Sequence, residues 1–237
     1  MPEDNNNMPR RRISFGFLFA LIAVAGIISI FAFQLFRSSG SDSTSIKADK
    51  YVELLKKINS TDCMDSVVPN IKQFYLQKLD VCKEVLADKD YKKCLNIINA
   101  IPERNTFVHG DCHFKNIMVQ GEEFLLIDMD TLSRGHPIFE LASLRAPYVA
   151  FEEDDPGNSE RFLDMPGEFC VKLYNDIVNN YFGKDDVVIK DKIALLCYIH
   201  MVWWTLTNQK ENTKRLNGCK ERLLALLNKY DNVDIGM

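Results

Sequence analysis

Apolar positions divide the chain into one long uninterrupted run and a series of amphipathic segments. The run is residues 13–36, ISFGFLFALIAVAGIISIFAFQLF, with no charged residue and one amide. At about 1.5 Å per residue it is long enough to cross a hydrocarbon core of about 30 Å, so the pattern predicts a single transmembrane helix. Of two competing readings, a cleaved secretory signal would have an apolar core of only about 7–15 residues, and a buried core helix would seldom run this long without a break. Beyond it, Val52, Leu55 and Ile58 share a helical face, as do Ile71, Phe74, Tyr75, Cys82 and Val85. Tyr91, Cys94, Leu95 and Ile98 repeat the spacing in 91–101, which stops before Pro102. Three more amphipathic helices are predicted at 167–181, 191–208 and 212–230, the second carrying Leu195, Leu196, Ile199, Val202 and Trp203.

The stretch 107–144 follows another pattern. Short apolar runs at 117–119 and 124–127 are joined by Gln-Gly-Glu-Glu, which predicts a small hairpin. Residues 147–164, with Glu152, Glu153, Asp154 and Asp155 beside Pro and Gly, predict an acidic loop. The resulting expectation is an α+β, mostly α-helical domain at 46–237. Before it come a polar and basic tail (1–12), the apolar span (13–36) and a Ser/Gly linker (37–45).

Composition narrows the picture little. The chain has 237 residues, 46% hydrophobic and 26% charged, enough for one full core. A net charge of -4 gives no electrostatic footprint for nucleic acid. Seven cysteines at wide, irregular intervals, without a C-x-x-C pair, predict separate buried thiols rather than a zinc or redox site. Orientation across a membrane is close to a tie: Arg10, Arg11 and Arg12 abut one end of the apolar run, while Arg37, then Lys47 and Lys50, follow the other.

The chemistry sits in His109-Gly110-Asp111-Cys112-His113-Phe114-Lys115-Asn116, with Asp128 twelve residues after Asn116. Kinase catalytic loops place a base Asp and a metal-binding Asn at this interval, with a later Asp as a further metal ligand. The predicted hairpin would bring Asn116, just before its first strand, alongside Asp128, just after its second. Carboxylate and amide oxygens are the donors that hard Mg²⁺ takes.

These residues resemble the aminoglycoside phosphotransferase and choline kinase group, protein-kinase-like small-molecule kinases. The group's H-G-D-x-H-x-x-N loop is matched by His109, Gly110, Asp111, His113 and Asn116, and its I-D-x-D segment by Ile127, Asp128 and Asp130. Gly135, Pro137, Glu140, Leu141 and Ala142 resemble its G-x-P-x-x-D-L-A, with Glu where Asp is usual. The resemblance implies a protein-kinase-like C-terminal lobe over 46–237, transferring the ATP γ-phosphoryl to a small-molecule hydroxyl. Asp111 and His113 would be catalytic, Asp111 as the base or orienting carboxylate. Asn116 and Asp128 would hold Mg²⁺ on the ATP phosphates. His109 would brace the loop, Asp130 would support the site or shape a turn, and Glu140 would cap or anchor its own helix.

The group also has a small N-terminal lobe carrying a phosphate-covering loop and a strand lysine. Residues 1–45 do not read as one, so the expected nucleotide site is incomplete in this chain, and transfer would be impaired. A misassigned gene start, with a strand-rich segment upstream, is an alternative. So is a non-catalytic, membrane-tethered binding module. An apolar surface left open near the active loop would suit self-association or a protein partner, and use of ATP favours a domain on the cytoplasmic side. For the substrate, the run 152–155 would meet a cation or remain a solvated loop, and Trp203 and Trp204 would form an aromatic cage or, for Trp203, core.

Overall fold

A computed structural model describes residues 42–120 and 123–230. The apolar span 13–36 lies outside them, as do the tail and the first part of the linker. Among the described residues no helix is long and apolar enough to cross a membrane.

Helix α1 (Asp42–Asn59) begins inside the stretch expected to be linker, so helix, not Ser/Gly coil, leads directly into the domain. It packs against α7 (Gly167–Phe182), burying Tyr51, Val52 and Leu55. Helix α2 (Ile71–Cys82) starts at Asn70, whose side chain accepts the Lys72 and Gln73 amides and so satisfies two of the first-turn donors. Helix α3 (Asp88–Ala100) follows, burying Cys94, Ile97 and Ile98.

The centre of the domain is α8 (Val187–Asn208), capped by Asp186, whose carboxylate accepts the Val188 and Ile189 amides at 2.9 and 3.1 Å. Its apolar residues surround the axis rather than forming one stripe. That is the composition of a helix covered on several sides, and α8 packs against α2, α4 (Ile138–Arg145) and α9 (Thr213–Lys229). All seven cysteines are buried free thiols, as their spacing predicts.

Strands are few and short. β1 (Phe107–Val108) pairs antiparallel with β4 (Ser133–Arg134), and β2 (Ile117–Gln120) pairs antiparallel with β3 (Glu123–Leu126) in the register Ile117 to Leu126 and Gln120 to Glu123. The second pair is the expected hairpin.

The expected acidic loop at 147–164 is mostly helical instead, broken by a short turn at 155–157. α4 continues without leaving right-handed helical backbone into a π-helical turn (Ala146–Ala150) and then α5 (Phe151–Asp154), followed by α6 (Asn158–Leu163). Pro147 falls at the start of the π turn, where the wider turn accommodates a residue with no N–H to give. The carboxylates are not free in solvent. Glu152 accepts the Gly157 and Ser159 amides, Glu153 pairs with Arg145 and the Tyr198 hydroxyl, Asp154 with Arg215 at 2.6 Å, and Asp155 with Arg161.

Candidate active site

β1 delivers the chain into His109 and Gly110, and pairing of β1 with β4 fixes where that loop starts. Gly110 turns it with φ +83, a left-handed conformation that favours glycine. A Cβ there would also stand 3.0 Å from the Thr131 carbonyl oxygen. His109 is fully buried. Its Nε2 lies 3.0 Å from the Ile127 carbonyl, which can only accept, so Nε2 carries the hydrogen and Nδ1 is left to accept the Asp111 amide at 3.3 Å. The Thr131 hydroxyl donates to the His109 carbonyl at 2.7 Å. His109 is therefore a brace between the loop and the end of the hairpin, as expected.

Glu140 does more than the sequence reading assigns to it. It lies in the first turn of α4 but reaches across to the loop, accepting the His109 amide at 2.5 Å and the Gly110 amide at 3.0 Å. Burial pushes its carboxyl up to about 7, against the pull of those two donors. Two buried tyrosines back the same loop. The Tyr51 hydroxyl donates to the Cys112 carbonyl, and the Tyr148 hydroxyl accepts the Phe114 amide at 3.0 Å.

Asp111 is left partly exposed at the tip. Asn116 donates its Nδ2 to the Asp111 carbonyl at 2.9 Å and to Asp111 Oδ2 at 3.2 Å. Both partners are acceptors, which fixes the amide orientation and leaves Oδ1 as the oxygen Asn116 can offer a cation. Asp128 comes next to it through the hairpin, because the Ile127 amide donates to the Asn116 carbonyl at 2.9 Å. Asp128 is exposed and has φ +62, one of two left-handed non-glycine residues among those described. Such a conformation costs on the order of 1 kcal/mol or more and is concentrated at functional sites. Among the described residues no group of three or more His, Cys, Asp or Glu side chains gathers to hold a metal alone. The Asn116 amide oxygen and the Asp128 carboxylate are donors of the kind Mg²⁺ takes, with water and phosphate oxygens for its remaining positions.

His113 is buried, with Nε2 3.6 Å from Asp111 Oδ1, beyond a good hydrogen bond, and Nδ1 without a partner. Its ring meets Phe162 edge-on at 5.2 Å. Burial lowers its pKa, so it is uncharged at neutral pH and stands beside Asp111 as a wall rather than as an ion-pair partner. Asp130 sits exposed in the 3-10 turn Met129–Thr131.

Asp111, His113 and Asp130 all line one cavity of about 770 Å³, within the usual range for small-molecule sites. Its other walls come from α2, α8 and the 147–164 helices: Phe74, Lys78, Phe151, Phe162, His200, Trp203 and Trp204. Trp203 is half-buried and lines this space rather than sitting fully in the core, the second role offered for it. Lys78 and His200 escaped the sequence reading, although a signal existed: Lys78 shares the apolar face of Ile71, Phe74 and Tyr75, where a solvated lysine has no reason to be. Phe74 and Phe162 are among the exposed large hydrophobic residues, as is Met129 beside Asp128, so apolar surface does lie open near the loop.

Comparison with known proteins gives one family match and several similar solved structures. Residues 46–169, more than half of the chain, match the phosphotransferase enzyme family. Similar solved structures include a choline/ethanolamine kinase family protein from Mesorhizobium loti, 14% identical with a TM-score of 0.47, covering 78% of this chain and 62% of that one. Another is the ADP-bound aminoglycoside phosphotransferase APH(2'')-Ib, 17% identical with a TM-score of 0.48, covering 79% of this chain and 65% of that one. A third is choline kinase from Cryptosporidium parvum, 14% identical with a TM-score of 0.38, covering 78% of this chain and 65% of that one. The chain thus spans less than two thirds of the length of each. No curated protein matches it. The loop, the hairpin and the helix carrying Glu140 all fall within the matched residues, and the chain belongs to the phosphotransferase enzyme family.

Proposed function

We propose that the protein transfers the γ-phosphoryl of ATP to a hydroxyl of a small molecule bound in the cavity beside Asp111. The observation that carries this reading is that Asn116 is hydrogen-bonded to Asp111 on one braced loop, that the hairpin pairs Ile127, next to Asp128, with Asn116, and that Asp111 lines a largely apolar cavity. Phosphoryl transfer asks a protein mainly for positioning and charge compensation. Asp111 orients the substrate hydroxyl and takes its proton. Asn116 Oδ1 and the Asp128 carboxylate hold Mg²⁺, which when bound neutralises charge on the ATP phosphates. His113, Phe151 and Phe162 limit the water that reaches the reacting hydroxyl.

Titration of the full-length chain with Mg·ATP in a calorimeter tests this. Saturable heat at millimolar nucleotide or below is expected, and Asp128→Asn, which tolerates the left-handed backbone at that position, weakens it. An absence of heat at millimolar nucleotide overturns the reading and leaves a non-catalytic binding module.

The membrane anchor belongs to the same proposal: residues 13–36 tether the domain, with the active loop on the side of the membrane where ATP is available. The support is the length of that apolar run alone. Fractionation of cells expressing the full chain or a chain without 13–36 checks it. The full chain is expected to sediment with membranes and resist alkaline extraction, and its recovery in the soluble fraction would refute the anchor.

A further inference from the structure

The cavity has a charge arrangement that says what kind of substrate it takes. Lys78 points its ammonium into the space between the Tyr75 and Trp203 rings, 4.7 and 4.9 Å from their centroids, and 2.9 Å from His200 Nδ1. Burial lowers the Lys78 pKa to about 8 and that of His200 to about 3. At neutral pH the lysine is therefore mostly charged, and the imidazole accepts its hydrogen bond. An ammonium has three hydrogens, and one goes to His200. Among the described residues no carboxylate pairs with it.

The acids that could have made this an anionic pocket are used elsewhere. Glu153, Asp154 and Asp155 are held by Arg145, Arg215 and Arg161, and Glu152 by two backbone amides. The carboxylates that do line the cavity, Asp111 and Asp130, come from the loop side, whereas the cation comes from α2. A substrate with one hydroxyl at Asp111 therefore finds flat aromatic walls and, on the α2 side away from Asp111 and Asp130, one ammonium that no carboxylate among the described residues pairs with.

We propose, resting on the phosphotransfer reading above, that the substrate is a hydroxy acid with an apolar or aromatic body. Its carboxylate is held by Lys78, and its body lies against Trp203, Trp204 and Phe162. One ammonium matches one carboxylate; a dianionic phosphate would need more donors than this wall offers. A cationic alcohol would place like charge against Lys78 in a partly dry site, which is unfavourable.

Trp203 and Trp204 are the only tryptophans of the chain, so intrinsic fluorescence reports on this wall alone. The full-length chain, in lipid nanodiscs and without nucleotide, is titrated with 3-(hydroxymethyl)benzoate and with the matched cation 3-(hydroxymethyl)benzylammonium. The benzoate is expected to bind about tenfold tighter or more. Lys78→Met abolishes that preference while Lys78→Arg retains it, and Lys78→Gln replaces Lys78→Met if circular dichroism shows the latter unfolded. Equal or tighter binding of the ammonium overturns the proposal. So does a Lys78→Met or Lys78→Gln variant that is folded and binds the benzoate as before, or no change in emission with either compound at millimolar concentration. Because nucleotide is absent, loss of Mg·ATP binding with the benzoate preference intact would reject phosphotransfer and leave the carboxylate site. Mg·ATP binding without the preference would do the reverse.

Discussion

Asp111→Asn is expected to lower the rate of phosphoryl transfer by about 10²–10⁴-fold while leaving nucleotide affinity and folding nearly unchanged. The carboxylate is partly exposed, so the substitution buries nothing new. Its structural partner survives, because an asparagine at 111 turns its own oxygen toward Asn116 Nδ2, now 3.2 Å from Asp111 Oδ2. What is lost is the group that accepts the hydroxyl proton. Single-turnover kinetics with a transferred substrate, together with a Mg·ATP titration and a urea melt of the same variant, separate the effects. A rate within threefold of the parent would remove Asp111 from the chemistry. Equal losses in rate, affinity and stability would instead make it a structural residue.

Truncation of Glu140 is expected to have the largest effect on stability. Glu140→Ala leaves the buried His109 and Gly110 amides without an acceptor, at about 1–3 kcal/mol for each unsatisfied group. Urea denaturation at pH 6 should therefore show a loss of about 2–6 kcal/mol, with activity falling because Gly110 and Asp111 are no longer held.

The pH dependence has a definite sign. The Glu140 carboxyl has an ordinary value of 4.5 and is raised to about 7 by burial. Between those values the folded chain keeps a proton that the unfolded chain has released. The contribution is complete below about pH 4.5, declines as pH rises to about 7, and is flat above that. Glu140→Gln, which cannot titrate, removes this slope. The difference between parent and variant should change by on the order of 3 kcal/mol from pH 5 to pH 8. A parallel pair of stability curves over that range would show that Glu140 stays ionised throughout.

Features carried by neighbours in sequence were legible in advance. The hairpin needed only two apolar runs with turn residues between them, and its register from Ile117 with Leu126 to Gln120 with Glu123 places Asn116 beside Ile127. The brace role of His109 and the helices containing Tyr75, Cys94, Leu173 and Leu223 were legible for the same reason: each depends on a repeat or motif a few residues long. The acidic stretch was misjudged because Pro147 and Gly157 are local punctuation, whereas the partners that hold the helical residues 152–154 include Arg215, sixty-one residues away from Asp154.

The sequence alone determined the candidate site: Asp111, Asn116 and Asp128 stand at fixed intervals within one loop and hairpin, and local geometry pairs Asn116 with Asp111 and with Ile127, the neighbour of Asp128. The tertiary structure decided what holds and surrounds that chemistry. Glu140 reaches the loop from thirty-one residues away, Tyr51 from sixty-one, and the Lys78 to His200 contact spans one hundred and twenty-two. Such contacts leave no periodic trace, because they are selected by which helix faces remain after the core is packed. The cavity, its aromatic walls and its single cation are therefore products of packing.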